Sequence, residues 1–152
     1  IISGGKKLCG ILTELELEGE SGTLGGVIVG FGINVNQTRA DFGPQLEKVA
    51  TSLWEETGRL VRRDELALSV LRALDQMIRD YPQESESYWQ EYRARCITLG
   101  REVKVISPSG ERQAFARDLD RSFGLIVDYP DGSREVLTSG EVSVRGMINY
   151  TE

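Results

Sequence analysis

The hydrophobic pattern of the chain changes period twice, and this change constrains the fold more than any single motif does. Residues 1–36 alternate between apolar and polar or run continuously apolar, as β-strands do. Residues 44–96 instead repeat apolar side chains at the three-to-four-residue spacing of amphipathic helices. Alternation returns at about Ile97. We therefore expect an α+β protein whose two domains are residues 1–96 and residues 97–152.

The first stretch predicts a β-hairpin. In KLCGILTELELE, Leu15 and Leu17 alternate with glutamates, which predicts a strand with one solvated face. The segment Gly19–Gly22 has the composition of a turn, and GVIVGFGINV then returns as a more apolar strand that we expect to be buried. Gly4 and Gly5 predict a further tight turn upstream of the hairpin.

The middle stretch predicts helices. One is expected in PQLEKVATSLWEETG, from Pro44 to Gly58, and a second in RDELALSVLRALDQMIRDYP, from an N-cap at Asp64 to a stop at Pro82. A short helix is expected in ESYWQEYRARC. We interpret the apolar stripes of the two longer helices as core-packing faces. The stripes consist of Leu46, Val49, Ala50, Leu53 and Trp54 in the first helix, and of Ala67, Val70, Leu71, Leu74, Met77, Ile78 and Tyr81 in the second.

The last stretch predicts a small β-barrel. About five short strands alternate there with turn-forming segments, of which Pro108–Gly110 and Pro130–Ser133 are the clearest. Short, closely spaced strands in a segment of this length are typical of a closed barrel of the SH3-like type. The barrel would be a small module attached to a larger one.

Composition excludes several classes of protein. The chain contains no histidine, which removes Ser-His-Asp and Cys-His catalysis and His-containing zinc sites. Its net charge of −6 and scattered basic residues argue against nucleic-acid binding by this segment. No apolar run is long enough to span a membrane. Cys9 and Cys96 stand far apart in an acidic chain, so we expect reduced thiols and a cytoplasmic location.

The segment GGVIVGFGINVN is the first candidate for a binding site. Gly30 and Gly32 resemble a dinucleotide fingerprint, but no third glycine follows and no helical pattern begins before Pro44. Two glycines at this spacing lie on one face of a strand and leave a strip without side chains. Asn34 continues the same face. A ligand-facing strip and a simple packing kink both fit this pattern.

Lys7 is the second candidate, because it immediately precedes the apolar run that contains Gly10. An unpaired ammonium group is costly to bury, so a lysine at this point needs an explanation. One alternative is that the side chain extends to the surface, which is the interpretation we adopt for Lys6. The other is that an anionic ligand lies over Gly10 and the glycine strip.

Four segments together resemble biotin protein ligases, the enzymes that biotinylate acetyl-CoA carboxylase. They are GGKKLCGILTEL, VIVGFGINVN, ATSL and SGEVSVRG, in the family's order and across nearly the whole chain. The resemblance implies the C-terminal part of a class II synthetase-like catalytic domain, a mixed sheet with helices, followed by an SH3-like barrel. It implies that biotin and Mg-ATP form biotinyl-5′-AMP and pyrophosphate, and that biotin then passes to a lysine of biotin carboxyl carrier protein.

The resemblance also implies roles for individual residues. Lys7 would be the catalytic residue and contact biotin, holding its carboxylate and stabilising charge during activation. The segment 36–43 would be a lid that orders over the adenylate. The biotin pocket would consist of Lys7, Gly10, Ile11, Leu12, Gly30 and Gly32, and the nucleotide site would include Asn34, Glu141 and Arg145. We expect no metal ligand among the residues of this chain.

Two family motifs are absent from this sequence: the Gly/Arg-rich phosphate loop and the Trp-Pro-Asn-Asp segment, which in the family precede the motifs seen here. We therefore expect the parent protein to be a ligase and this chain by itself to be feeble or inactive. A non-catalytic protein-binding module and a lipoate-type acyl ligase are the alternatives. The glutamate-bearing strand lies where family members pair in homodimers, although its charges also oppose edge pairing.

Overall fold

The computed structural model describes residues 1–18, 23–107, 110–138 and 143–146. The chain divides into two compact units, one formed by residues 1–69 and the other beginning at Val70. The predicted turns at Gly19–Gly22 and Pro108–Ser109 and the candidate residue Glu141 lie outside the described residues. The predicted domain boundary near Ile97 stays a prediction.

The first unit is built around a long antiparallel hairpin. Its strands pair Gly10 with Gly32 and Leu12 with Gly30, and the register shifts by a bulge at Glu16. A two-stranded ribbon precedes the hairpin, and two short helices follow it. The bounds of these elements are β1 Ile2–Ser3, β2 Lys6–Lys7, β3 Cys9–Glu18, β4 Thr23–Ile33, α1 Arg39–Leu46 and α2 Leu53–Thr57.

The predicted turn at Gly4 and Gly5 is confirmed. Both glycines have positive φ angles, 54° and 75°, and they join β1 to β2. L-residues with side chains rarely adopt such angles, which explains the Gly-Gly pair. This turn brings Lys7 opposite Ile2.

The expectation that β4 is buried is wrong for the described structure. Val27, Ile28 and Val29 are exposed by 51%, 50% and 40%. In the described part of the chain β4 pairs with β3 along one edge, which covers no side chain, and these three residues stay open to solvent. A continuous apolar run signals burial only where neighbouring layers cover both faces.

The single helix expected between Pro44 and Gly58 is two helices. The helix α1 begins earlier, at Arg39, with a capping box between Thr38 and Asp41, and it is interrupted at Gly43 by a φ of 68°. The helix α2 begins at Leu53 because the Ser52 side chain accepts a hydrogen bond from the Glu55 N–H. The predicted apolar stripe from Leu46 to Trp54 therefore has helical spacing although the residues between α1 and α2 are not helical.

The helix α3, Arg63–Arg95, begins before the predicted N-cap Asp64 and continues past Pro82, where it was predicted to stop. It also includes the segment that was expected as a separate short helix. Proline removes one helical hydrogen bond, which kinks a helix without necessarily ending it. The kink appears at Glu84, whose φ and ψ are −107° and 15°. The apolar stripe of α3 is not a buried face in the described structure, since Leu71 and Ile78 are 62% and 69% exposed.

The second unit contains a five-stranded antiparallel sheet with the order β8-β7-β6-β5-β9. Its strands are β5 Glu102–Ser107, β6 Gly110–Leu119, β7 Leu125–Asp128, β8 Arg134–Leu137 and β9 Ser143–Gly146. Its core consists of Val103, Val105, Ala114, Ala116, Val127, Tyr129 and Leu137. The five strands agree with the sequence prediction and the α+β class is confirmed, while closure into a barrel stays a prediction.

The C-terminal part of α3 contacts the end of β6 and the loop that follows it within the second unit. The Trp89 indole N–H donates to the Asp120 carbonyl oxygen at 2.7 Å. Arg93 donates two hydrogen bonds to Asp118, at 2.6 and 3.0 Å. The Arg93 guanidinium lowers the pKa of the Asp118 carboxyl below its ordinary value. These contacts stabilise the turns of α3 that follow Pro82.

None of the helices in the described ranges is long and apolar enough to cross a membrane.

Replacing Gly124 by Ala is expected to destabilise the second unit. A Cβ there would lie 2.6 Å from Val136 Cγ1 and 3.2 Å from both Asp120 carboxylate oxygens. Valine is stiff about χ1, so the clash is relieved only by a shift of strand or loop. We expect the free energy of unfolding to fall by about 1–3 kcal/mol, measured by urea denaturation.

The matched control removes the clashing methyl group. Gly124→Ala in a Val136→Ala background is expected to cost much less than in the wild type. Equal losses in both backgrounds would contradict the steric explanation.

Candidate functional site

A cavity of about 370 Å³ lies in the first unit, between the start of the hairpin and the segment that carries α1. One side is lined by polar residues and glycines, and the other side is lined by apolar residues. The lining residues are Lys7, Gly10, Gly32 and Asn34 on the hairpin side, and Phe42, Leu46, Val49 and Ala50 on the helical side. The cavity therefore offers one cation, one amide and bare backbone opposite an apolar wall.

The glycines form a floor without side chains. Gly10 pairs directly with Gly32, so the two occupy one face of the hairpin at neighbouring positions. A Cβ built on Gly32 would meet only the Gly10 carbonyl oxygen, at 3.8 Å, among the described atoms. A Cβ on Gly30 would similarly meet only the Leu12 carbonyl oxygen, at 3.8 Å. Close approach of another molecule to the strand is therefore sterically allowed.

The Lys7 side chain lies over this floor. Its Cε and Nζ atoms are 3.7 and 3.8 Å from the position that a Gly10 Cβ would occupy. Within the described part of the chain, no carboxylate lies within 4.0 Å of the Lys7 ammonium. Lys6 differs, because its ammonium group donates to the Glu47 carbonyl oxygen at 3.2 Å. Lys7 is exposed, so the expected cost of burying its ammonium group does not arise. The charge borders both the cavity and solvent, and the described residues do not neutralise it.

The backbone of Lys7 is fixed more firmly than its side chain. Its N–H donates to the Val49 carbonyl oxygen at 2.8 Å, and its carbonyl oxygen accepts from the Thr51 N–H at 3.0 Å. These bonds form a parallel bridge between Lys7 and Ala50. The segment that carries the cation and the segment that carries the apolar wall are therefore bonded directly to each other.

Asn34 joins the same segments through its amide. Its Nδ2 donates to the Thr51 carbonyl oxygen at 2.9 Å and approaches the Lys7 carbonyl oxygen at 3.4 Å. Its backbone N–H donates to the Leu8 carbonyl oxygen. The amide hydrogens are thus used inside the fold, and in the part of the chain described here the Oδ1 atom has no protein donor.

The structure brings together Lys7, Gly10, Gly32 and Asn34, but not all of the candidate residues. Leu12 and Gly30 share the glycine face, two pairs farther along the hairpin. Ile11 pairs with Phe31, and strand alternation places it on the opposite face. Neither Ile11 nor Leu12 lines the cavity, and they are 52% and 63% exposed.

Of the two candidates in the second unit, only the backbone of Arg145 is described. It lies in β9, paired with Lys104. Glu141 falls outside the described residues. Among the residues that the structure covers, no group of three or more Cys, Asp or Glu could hold a metal ion.

Sequence reasoning missed the apolar wall as part of the site. Leu46, Val49 and Ala50 were assigned to a core stripe, and Phe42 was placed only generally in a lid segment. The signal for Ala50 was its position in ATSL, one of the four segments of the resemblance. For Phe42, a single aromatic residue in a polar loop gives no comparable pattern.

The comparisons with known proteins agree with one another. Residues 98–145 match the family described as biotin protein ligase C terminal domain. The bifunctional ligase/repressor BirA of Bacillus spizizenii is 28% identical over 143 residues, which cover 91% of this chain and 42% of BirA. The biotin–[acetyl-CoA-carboxylase] ligase of Mycobacterium tuberculosis is 31% identical over 143 residues, covering 93% and 49%.

A solved structure extends the similarity to the fold. Biotin protein ligase from Aquifex aeolicus, in complex with biotin and ATP, superposes with a TM-score of 0.73 at 28% identity. The match covers 93% of this chain and 57% of that protein. The chain matches the C-terminal part of biotin protein ligases.

The resemblance drawn from the four segments is thereby confirmed. The biotin protein ligase similarity spans both units of the chain, and not only the part matched by the C-terminal domain. The chain spans about half the length of the curated ligases that it matches.

Replacing Asn34 by Asp tests the structural part of the site. The change keeps the shape but removes both amide donors and places a carboxylate beside two carbonyl oxygens. We expect the free energy of unfolding to fall by about 1–3 kcal/mol in urea denaturation, because the partly buried Thr51 carbonyl oxygen loses its donor and faces a carboxylate instead.

Gln45→Glu is the matched control, since Gln45 is an exposed amide on α1 without a described hydrogen bond. It is expected to leave stability nearly unchanged. If Asn34→Asp were equally harmless, the bonds from its amide would not be holding Lys7 and Thr51 in place.

Proposed function

We propose that the complete protein carrying this chain is a biotin protein ligase. It activates biotin with ATP to biotinyl-5′-AMP, releasing pyrophosphate, and then transfers biotin to a lysine of biotin carboxyl carrier protein. The observation that carries this proposal is the Lys7 ammonium group lying over the bare Gly10 floor at the edge of a cavity. The similarity to ligases of known name supports it independently.

In this proposal Lys7 binds the carboxylate of biotin. In the first step a carboxylate oxygen attacks the α-phosphorus of ATP, and pyrophosphate leaves. Negative charge moves among the carboxylate and phosphate oxygens during this step, and a positively charged ammonium group beside them stabilises it. In the second step the carrier lysine attacks the acyl carbon, and AMP leaves.

The remaining cavity residues have complementary tasks. Gly10 and Gly32, continued by Gly30, leave room for the ligand to lie against the strand. Leu12, on the glycine face, borders the proposed biotin pocket beyond the cavity, and Ile11, whose side chain lies on the opposite face, contributes only backbone to it. The apolar wall, which includes Phe42, suits the hydrocarbon part of an acyl ligand.

Asn34, Glu141 and Arg145 are proposed to contact the nucleotide. For Asn34 the available group is Oδ1, because Nδ2 already donates to Thr51. ATP brings Mg²⁺ into the reaction, but the described residues contain no cluster that fits this ion. No step is therefore assigned to Mg²⁺ through these residues.

The lid is proposed on segment 36–43, which includes the first part of α1. Asn36 fixes one end of this segment, since its side chain both donates to and accepts from the Val61 backbone at 2.9 Å. Gly43 provides a break at the other end. Movement would therefore be concentrated between these two points.

Further parts of the proposal concern partners and location. We place the protein in the cytoplasm, where the free thiols of Cys9 and Cys96 remain reduced. A homodimer formed through the β3–β4 hairpin also belongs to the proposal, as does feeble activity of this chain by itself.

Lys7→Ala in the complete protein is expected to lower the rate of biotin-dependent ATP–pyrophosphate exchange by about 10²-fold or more, because charge stabilisation is lost. Lys7→Arg should recover only part of the rate, since a planar guanidinium does not replace a compact ammonium group. Lys48→Ala, which changes an exposed lysine near the cavity, should retain the wild-type rate.

The same assay separates the alternatives. Full exchange by Lys7→Ala would show that Lys7 has no catalytic role. Exchange that depends on lipoate instead of biotin would indicate a lipoate-type ligase. Carrier binding without any exchange would favour a protein-binding module.

A further inference from the structure

The segment that carries Lys7 is the middle member of three extended segments in the first unit. On one edge, β2 pairs with β1, placing Ile2 opposite Lys7 and Ser3 opposite Lys6. On the other edge, Lys7 is bonded to Val49 and Thr51. Two outer segments therefore determine where the Lys7 side chain enters the cavity.

The carboxylate of Glu56 ties these two outer segments together. The Ser3 hydroxyl donates to Glu56 Oε2 at 2.6 Å, and the Thr51 hydroxyl donates to Glu56 Oε1 at 2.7 Å. Each carboxylate oxygen thus holds one segment. Hydrogen bonds to an ionised acceptor are shorter and stronger than those between neutral groups.

The surroundings of Glu56 favour this arrangement over an accidental surface contact. Gly4, with a φ of 54°, lies so close that a Cβ on it would be 3.4 Å from both carboxylate oxygens. Thr51 is only 3% exposed, although Glu56 itself is exposed. The hydrogen bonds from Ser3 and Thr51 lower the pKa of the Glu56 carboxyl, so it remains an ionised acceptor at neutral pH.

We propose that Glu56 is a positioning residue for Lys7, acting through Ser3 and Thr51 and not by contact with the substrate. This proposal rests on the function proposed above. Without the carboxylate, β1 and the Thr51 segment lose their direct side-chain link, and they remain joined through their bonds to β2 and through the bonds of Asn34 and Ile1. The position of the Lys7 ammonium group in the cavity then varies more, and an anionic ligand bound to it is less precisely oriented.

The test is a double-mutant cycle in the complete protein. Glu56→Ala is expected to lower kcat/KM for biotin in pyrophosphate exchange by about tenfold, because small displacements of a catalytic group are costly. Glu56→Gln should lose less, since its single carbonyl oxygen still accepts from one hydroxyl. In a Lys7→Ala background, Glu56→Ala should change kcat/KM by less than about twofold.

Glu84→Ala is the control, because the exposed Glu84 carboxylate on α3 makes no hydrogen bond or ion pair among the described residues. It is expected to leave kcat/KM for biotin unchanged in both backgrounds. Equal losses from Glu56→Ala with and without Lys7 would show that Glu56 only stabilises the fold. Unchanged kcat/KM in Glu56→Ala would overturn the proposal as well.

Amide hydrogen exchange separates this inference from the proposed function. The amides of Lys7 and Thr51, which bond across the bridge, are expected to exchange faster in Glu56→Ala and, to a smaller extent, in Ser3→Ala. If the wild-type protein shows no biotin-dependent pyrophosphate exchange, the proposed function fails. Amide hydrogen exchange still tests whether Glu56 holds the Ser3 and Thr51 segments in place. Unchanged protection of both amides would overturn the role of Glu56.

Discussion

The candidate site depends on the direct pairing of Gly10 with Gly32. Any pair of larger residues at these positions would cover the strand with side chains. Because both are glycines, the backbone is open on one face. The Cε and Nζ atoms of Lys7 lie over this face at Gly10. The same pairing explains why the hairpin side of the cavity carries no side chain at these two positions.

The cavity is held together mainly by backbone groups and short polar side chains. Lys7 is bonded to Val49 and Thr51, and the amide of Asn34 spans the same junction. The two buried polar residues of this junction, Thr51 and Ser52, are 3% and 0% exposed and have hydrogen-bond partners. A junction of this kind aligns two walls of a site without needing a large hydrophobic core beneath it.

The sequence predicted the parts of the fold that depend on local patterns. The β3–β4 hairpin, the Gly4–Gly5 turn and the five C-terminal strands follow from alternation and from turn chemistry. Prediction failed where a local signal was overridden, as at Pro82, where contacts of Trp89 and Arg93 support a helix beyond the proline. It also failed where burial was inferred from apolar runs alone, as in β4.

For the site, the sequence singled out Lys7 and the glycines because a charge before an apolar run and glycines within a strand both call for explanation. It did not identify Phe42 or Glu56. Glu56 is an exposed glutamate in a short helix, and its role is apparent only when Ser3, 53 positions earlier, is seen beside it. Such distant contacts leave no periodic trace in one sequence.

A crystal structure of the complete protein with biotinyl-5′-AMP bound would show whether Lys7 and the glycine pair form the ligand site. We expect the ligand to lie over Gly10 and Gly32, with an acyl or phosphate oxygen about 3 Å from Lys7 Nζ. A ligand bound elsewhere, with the Lys7 ammonium group directed into solvent, would contradict it.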